Sequence, residues 1–500
     1  MLADPRSRLV ETHETVQDDQ FLGRLDEAKQ SALSELMAIL PLYLLQGPPG
    51  VGKTYLVREV VRRRFADEPT ARLLLTAQSH HSVDHLVTEL QQDWQTQSFH
   101  HPLAVRCSGP ETHDAPTALH LASQTRTLAG RLATSELARN STPRLIEALQ
   151  SAVGEPPVTT AASRAEFRSL EGLVMRAANV VFATTNSADL ERLVDEKGQF
   201  DWAIVEEAGK ATGIELLMPL LLSHRRLMIG DHKQLPPFGA EKADDLLNDP
   251  ERLRSALRLG LELTERSLKD VVDDDLAEMI DDDAADTEFA QLCADAKGML
   301  FLFQTLIENE VARQERPGAR PPNIARVLTV QHRMHPVIAG LVSRCFYGGT
   351  IRTGKEAQAK FVTTPSPVTS ADLKRLPDAP IVVVDLPYQQ STVGSRDVES
   401  YPRFTNLGEV QAVRDIVQLL QPSAAGARPS LAVLSPYARQ VARIRTELMA
   451  DDNCRSALSR LKPVARGNAW CSTVDAFQGN EADAIVVDPR WIHSASARIA

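Results

Sequence analysis

Excess positive charge is missing from this chain. Across 500 residues, 55 Lys and Arg stand against 66 Asp and Glu, a formal net charge of −11 with a pI near 5.7. No global basic field advertises nucleic-acid binding, so any such binding has to use a local groove. Cysteine is sparse and unpatterned. Cys107, Cys293, Cys345, Cys454 and Cys471 are odd in number and form no C-x-x-C pair. That argues against structural zinc and suits a reducing, cytoplasmic setting. The opening residues, MLADPRSRLVETHE, lack the apolar core of a signal peptide. No apolar run approaches membrane-spanning length, so no membrane partner is expected. His81 and His85 lie four apart, but Ser82 stands where H-E-x-x-H has its glutamate, so the pair reads as structural or surface histidines. What is present is ordinary for a soluble globular protein, 43% hydrophobic and 24% charged. It is long enough for two or three domains with their own cores.

Strand-like and helix-like stretches alternate. LDEAKQSALSELMAIL reads as an amphipathic helix, LYLLQ as a short strand, YLVREVVRRRF as a helix, ARLLLTA as a strand and SVDHLVTELQQ as a helix. Such alternation predicts a parallel sheet with crossover helices. From about 92 to 175 the chain turns Ala-, Ser- and Thr-rich, which reads as an insertion. Strands resume at ANVVFATT, WAIVEE and RLMIGD. Residues 241–298 are strongly acidic and read as a helical insertion or flexible connection with a solvated face. A second alternating set follows, with ARVLTV, PIVVVDL, SLAVLSP and DAIVV as strands and EVQAVRDIVQLL and ARQVARIRTELM as helices. The expected fold is α/β: two parallel-sheet domains with helical insertions in and after the first. The expected bounds are 1–240 for the first domain, 241–300 for the acidic connector and 301–500 for the second domain.

Gly47, Pro48, Pro49, Gly50, Val51, Gly52, Lys53 and Thr54 fit G-x-x-x-x-G-K-[ST] between a strand and a helix. The glycines let the backbone approach phosphate oxygens, and the amides at the helix N-terminus point at them. Lys53 would supply a charge to the β/γ-phosphates and Thr54 a hydroxyl to Mg²⁺. In DWAIVEEA an apolar strand ends on two acids, at the sheet edge where ligands of open α/β sheets bind. Glu206 is then the carboxylate nearest Mg²⁺, and Glu207 the candidate base that orients the attacking water. Another apolar strand runs into GDHKQLPP.

GPPGVGKT, VEEAGKAT, GDHKQLPP, QHRMHP and VDAFQGNEAD occur in that order. Together they resemble the motifs of superfamily 1 helicases, in the 5′→3′ branch that includes the nonsense-mediated-decay helicase. The resemblance covers both α/β halves but neither the stretch at 92–175 nor the acidic one. It implies two RecA-like domains that hydrolyse ATP with Mg²⁺ in a cleft between them, coupled to single-stranded DNA or RNA. It further implies that Gln234 senses the γ-phosphate and that Arg333 acts as an arginine finger on the developing phosphoryl charge. Gly479 and Glu481 would lie on the γ-phosphate and ribose side. Ser79 and His80, in TAQSHHSVDHL, and Thr184 and Thr185, in FATTN, correspond to segments that hold the strand backbone. Tyr437, in SPYARQ, could stack or hydrogen-bond. Without the resemblance each of these groups reads equally as a satisfied turn or core residue.

Three positions depart from the family pattern. Glu206 replaces the usual aspartate of the acidic pair, and Lys210 stands where a glutamine is expected. The adenine-reading glutamine aligns with Lys29, leaving Gln30, one residue off, as the candidate. Finally, the family continues to a last motif with a second phosphate-sensing arginine, whereas this sequence closes on DPRWIHSASARIA. The second domain is therefore expected to be incomplete, with Arg498 as the residue that would have to serve. A nucleic-acid-binding ATPase switch without unwinding, or a truncated ATP-binding chain with weak or no turnover, is the alternative expectation.

Overall fold

The strand Leu42–Gln46 (β1) carries no charged residue, and the two-residue period of extended chain divides its side chains between two faces. Tyr43 and Leu45 enter one core with Leu33 and Leu36 of α1 (Glu27–Ala38) and Leu56, Val57 and Val60 of α2 (Lys53–Asp67). Leu42 and Leu44 enter another with Leu216, Leu220, Phe303 and Ile307. The same split recurs in β2 (Leu73–Ala77), where Leu73 and Leu75 face the first core and Leu74 a third. Burial on both faces is what apolar runs without alternation require of a parallel sheet.

The remaining strands of this sheet are β3 (Ala104–Arg106), β4 (Val180–Thr184), β5 (Phe200–Glu206), β6 (Ser223–Gly230) and β7 (Ala325–Val327). Their order is β3-β4-β2-β5-β6-β1-β7, and every neighbouring pair is parallel. The computed structural model describes residues 5–12, 14–16, 18–96, 102–107, 119–153, 161–195, 197–264, 276, 279–280, 286–318, 321–386, 405–464, 467 and 469–488. Arg498 and most of the acidic run at 265–285 lie outside them. No helix among the described residues is long and apolar enough to cross a membrane.

By contact the chain forms two units, Met1–Gln331 and His332–Ala500. Two parallel-sheet cores flanked by helices, with helical insertions, match the expected α/β architecture. Three sequence expectations need correction. ARVLTV does not open the second sheet. Its residues Ala325–Val327 pair with Leu44–Gln46 as the edge strand of the first, because Ala325 fills the core made by Leu44, Phe303 and Ile307. The stretch at 92–175 is not wholly an insertion. Ala104–Arg106 is a buried sheet strand, too short for its periodicity to stand out. The helices Leu121–Ala133, Pro143–Val153 and Ala161–Ala177 then pack on one another through Ala129, Leu149, Ala152, Phe167 and Leu170. Third, PIVVVDL forms no strand. Its apolar side chains are exposed, Val383 at 85%.

The acidic region is helical where described, over Ala240–Leu247, Pro250–Thr264 and Asp286–Leu300. A small core of Ile280, Phe289 and Cys293, with Leu247 and Leu253 against it, holds these helices together. In the second unit β8 (Ser430–Ser435) is central. β9 (Lys462–Pro463) and β10 (Cys471–Thr473) pair along one side of it and β11 (Ala484–Val487) along the other, all parallel. Leu431 and Val433 face a core built on the helices Leu407–Leu419 and Ala438–Ala450. Ala432 and Leu434 face a thinner one with Phe477.

Candidate active site

β1 ends at Gln46, and the chain turns through 47–52 into α2. Gly50 and Gly52 have φ of 76° and 79°, a left-handed backbone that favours glycine. Gly52 is the N-cap of α2, so the first amides of a 15-residue helix open into the loop. Gly47 is required by close approach: a Cβ there would lie 2.5 Å from the Lys53 side chain. Lys53 folds back over the loop, and its ammonium donates to the Gly47 carbonyl at 2.6 Å. The cradle thus closes around its own lysine, whose charge stands where phosphate oxygens would be received.

β5 delivers the acidic pair beside this loop. Glu206 is 6% exposed, and its Oε1 is buried without a hydrogen-bond partner. Burial pushes its carboxyl up to about 7, and Glu207 adds to this, while the Lys53 charge and the Thr54 hydroxyl pull it back. An orphaned buried carboxylate oxygen beside a hydroxyl is a donor set that suits a hard divalent cation. Thr54 and Glu206 therefore fit Mg²⁺, the longer glutamate arm included. Among the described residues no three His, Cys, Asp or Glu side chains form a metal cluster.

Glu207 follows with φ 53° and ψ 32°, a left-handed conformation that costs a residue with a Cβ. The turn Ala208–Lys210 then packs on the end of β6 so tightly that a Cβ on Gly230 would meet the Gly209 nitrogen at 2.5 Å. Both Glu207 carboxylate oxygens are engaged. Oε1 lies 3.0 Å from the Lys210 ammonium, and Oε2 accepts from the Ser82 hydroxyl at 2.5 Å. Past β6, buried Asp231 orders the next loop. Its carboxylate accepts from the Gln234 amide at 2.7 Å and from Gln46 at 3.3 Å. Lys53, Glu207, Gly209, Lys210, Gly230, Asp231 and Gln234 line one pocket.

The candidate strand-binding residues of this unit begin where β2 ends. α3 (His80–Thr96) starts beside Ser79, whose hydroxyl accepts from the Ser82 amide at 3.2 Å and lies 2.8 Å from the Ser82 hydroxyl. His80 Nδ1 sits 2.9 Å from a guanidinium nitrogen of Arg106, which also donates to Asp84. Arginine cannot accept, so Nδ1 is the acceptor and the ring proton sits on Nε2. Thr184 ends β4, and Thr185 follows it, its amide donating to the Ala77 carbonyl. Both are buried, and the Thr185 hydroxyl has no partner.

Gln30 is placed differently from the other nucleotide-site candidates. Its amide nitrogen donates to the carbonyls of Leu22 and Leu25, whereas Lys29, ion-paired with Asp26, runs against Gly52 of the loop. In the second unit, Arg333 pairs with Glu481 at 2.5 Å, both about half-exposed. His335 caps the helix Pro336–Phe346 and meets the edge of Phe361. Gly479 has φ of 91° beyond the short helix Val474–Phe477, and Tyr437 is the N-cap of the helix Ala438–Ala450. The sequence reading missed Ser82, Asp231 and Arg106. Asp231 was visible inside GDHKQLPP. Ser82, inside TAQSHHSVDHL, and Arg106, in no motif, are recognisable only once β2 lies beside β5 and β3 joins the same sheet.

Comparison with known proteins gives two family matches along the chain. One family described as AAA domain matches residues 24–157 and 155–241, and a second, also described as AAA domain, matches 301–489. Residues 301–331 thus fall with the second family in sequence and with the first unit in space. The chain is 24% identical over 475 residues to the regulator of nonsense transcripts 1 homolog of Neurospora crassa, covering 93% of this chain and 34% of the relative. It is 24% identical to the ATP-dependent helicase upf1 of Schizosaccharomyces pombe, covering 93% and 41%, and 24% identical to DNA-binding protein SMUBP-2 of Mus musculus, covering 93% and 39%. The chain therefore spans less than half the length of these relatives. Among solved structures, the arterivirus nonstructural protein 10 helicase in complex with DNA shares 11% identity at a TM-score of 0.32, covering 94% of this chain and 65% of its own. The chain thus carries two regions that match AAA-domain families and is similar over most of its length to the regulators of nonsense transcripts and to SMUBP-2.

Proposed function

We propose that the protein is a nucleic-acid motor that hydrolyses ATP and couples it to a single strand of DNA or RNA, translocating 5′→3′. What supports this reading most is the convergence of Lys53, Glu206, Glu207 and Gln234 at the sheet edge, with Glu207 also bonded to the start of α3. ATP would displace the Lys53 ammonium from the Gly47 carbonyl and receive its charge on the β/γ-phosphates. Thr54 and Glu206 would hold Mg²⁺, which neutralises charge on those phosphates when bound. Glu207 would orient the attacking water, and Gln234, held by Asp231, would report the γ-phosphate. Arg333 would leave Glu481 to stabilise the developing phosphoryl charge. An exposed pair of this kind is worth about 1 kcal/mol or less. Ser79, His80, Thr184, Thr185 and Tyr437 would carry the strand backbone.

One observation favours a second reading, an ATP-binding switch of weak turnover: both Glu207 oxygens are held, one of them by Lys210. Glu207→Gln separates the two. The motor reading expects the variant to bind ATP as the wild type does while losing strand-stimulated hydrolysis by two orders of magnitude or more. Equal, strand-insensitive hydrolysis in both proteins would contradict the motor and favour the switch.

A further inference from the structure

The motor reading needs a physical link between strand and water, and α3 supplies one. Ser82 Oγ stands between two groups of different assignment. It lies 2.5 Å from Oε2 of Glu207 and 2.8 Å from the hydroxyl of Ser79. A carboxylate only accepts, so the Ser82 proton points at Glu207. The Ser82 oxygen is then left as acceptor for the Ser79 hydroxyl. The Ser79 oxygen in turn accepts from the Ser82 amide, which fixes its position at the helix start. The chain therefore has one polarity: Ser79 O–H to Ser82 O–H to Glu207 carboxylate. Successive bonds of one polarity strengthen one another, and the last is charge-assisted.

We propose that Ser82 is a positioning residue that restrains Glu207 until a strand phosphate engages Ser79. The inference rests on the motor reading, in which Glu207 orients water and Ser79 meets the strand. A phosphate oxygen is a stronger acceptor than a serine hydroxyl, so the Ser79 O–H turns to donate its hydrogen bond to the phosphate instead of to Ser82. Ser82 then loses the donor that polarised it, and its hold on Oε2 weakens. Glu207 is released on that side while Lys210 still anchors Oε1 3.0 Å away. The carboxylate can then swing about a fixed point toward the attacking water. No proton changes owner and no covalent bond is made, so the device is a re-aimed hydrogen bond. The left-handed backbone at Glu207 supplies a residue already held away from its relaxed conformation.

Ser82→Ala tests the idea by steady-state ATP hydrolysis without and with saturating single strand. The expected result is a strand-free kcat raised roughly tenfold, the scale of one charge-assisted hydrogen bond. KM for ATP, strand affinity and the strand-saturated kcat should stay at wild-type values, so the stimulation ratio falls by the same factor. Ser82→Thr, which keeps the hydroxyl, should restore the low strand-free rate. Ser79→Ala should weaken strand binding, which Ser82→Ala should not. An unchanged ratio in Ser82→Ala, or a loss of strand affinity equal to that of Ser79→Ala, would overturn the restraint while leaving the motor standing. Absence of hydrolysis in the wild-type chain would instead remove the motor reading and the restraint with it.

Discussion

The two units carry the same kind of sheet to different degrees of completion. In the first, seven parallel strands are covered on both faces, and the side chains that could do chemistry are fixed by neighbours within the unit: Lys53 by Gly47, Glu207 by Ser82 and Lys210, Gln234 by Asp231. In the second, β8 and its partners have one substantial core and one thin one. Ile485 and Val487 of β11 stay about half-exposed, as does the apolar run at 381–386. Its candidate groups sit on turns and helix starts, Arg333 and Glu481 forming a half-exposed pair. The contrast is between side chains held by hydrogen bonds inside a well-packed unit and side chains on half-exposed turns. Preorganised groups cost no reorganisation at the moment of reaction, whereas recruited ones act only once nucleotide is bound.

The largest expected test of that contrast is Arg333→Ala. If Arg333 is recruited, ATP affinity should stay near the wild-type value while kcat falls about a thousandfold or more, read by nucleotide titration and single-turnover hydrolysis. An unchanged rate would leave the first unit sufficient by itself. Glu206→Gln probes the preassembled side. Burial raises the Glu206 carboxyl above its unfolded value to about 7, so the wild-type protein loses stability as pH rises from about 4.5 to 7 and the glutamine variant does not. Without Mg²⁺ and nucleotide, the variant should be more stable by about 3 kcal/mol at pH 8 and by under about 1 kcal/mol at pH 5. Denaturant melts at the two pH values measure this. Equal differences at both would mean that Glu206 is not held in a desolvated site.

How much was legible in the sequence follows the same division. β1, β2 and β4 are runs of mostly apolar residues buried throughout, and β5 and β6 are so in their C-terminal halves, so composition marked them, and the glycines of 47–52 marked the loop. The run at 381–386 is as apolar as β1 but for Asp385 and yet lies exposed, because apolar character specifies a strand only where a partner edge and two cores await it. Ala104–Arg106 failed in the opposite sense, being too short to show a period. The site divided likewise. Gln234 and Glu207 announce themselves in motifs, but Ser82 acquires meaning only through an oxygen 125 residues away in sequence. Lys29 and Gln30 differ by one helical position, about 100°, which decides which side chain runs against Gly52.

The smallest expected effect is chemical. Among the five free cysteines, Cys345 is exposed and the others are buried. Burial pushes the Cys454 thiol up to about 12 and Cys471 to about 11. A thiolate reagent at pH 8 should therefore label Cys345 alone in the native protein, as counted by intact mass. Early labelling of Cys454 or Cys471 would show that the larger core of the second unit opens as readily as its thin face.

The most direct test of the central claim is ATP hydrolysis by the wild-type chain with and without single-stranded DNA or RNA, set against Lys53→Ala. The account predicts hydrolysis that one of the strands stimulates and that the variant lacks under every condition. Wild-type-like turnover in Lys53→Ala would contradict the assignment of the nucleotide site, and with it the preassembled chemistry of the first unit.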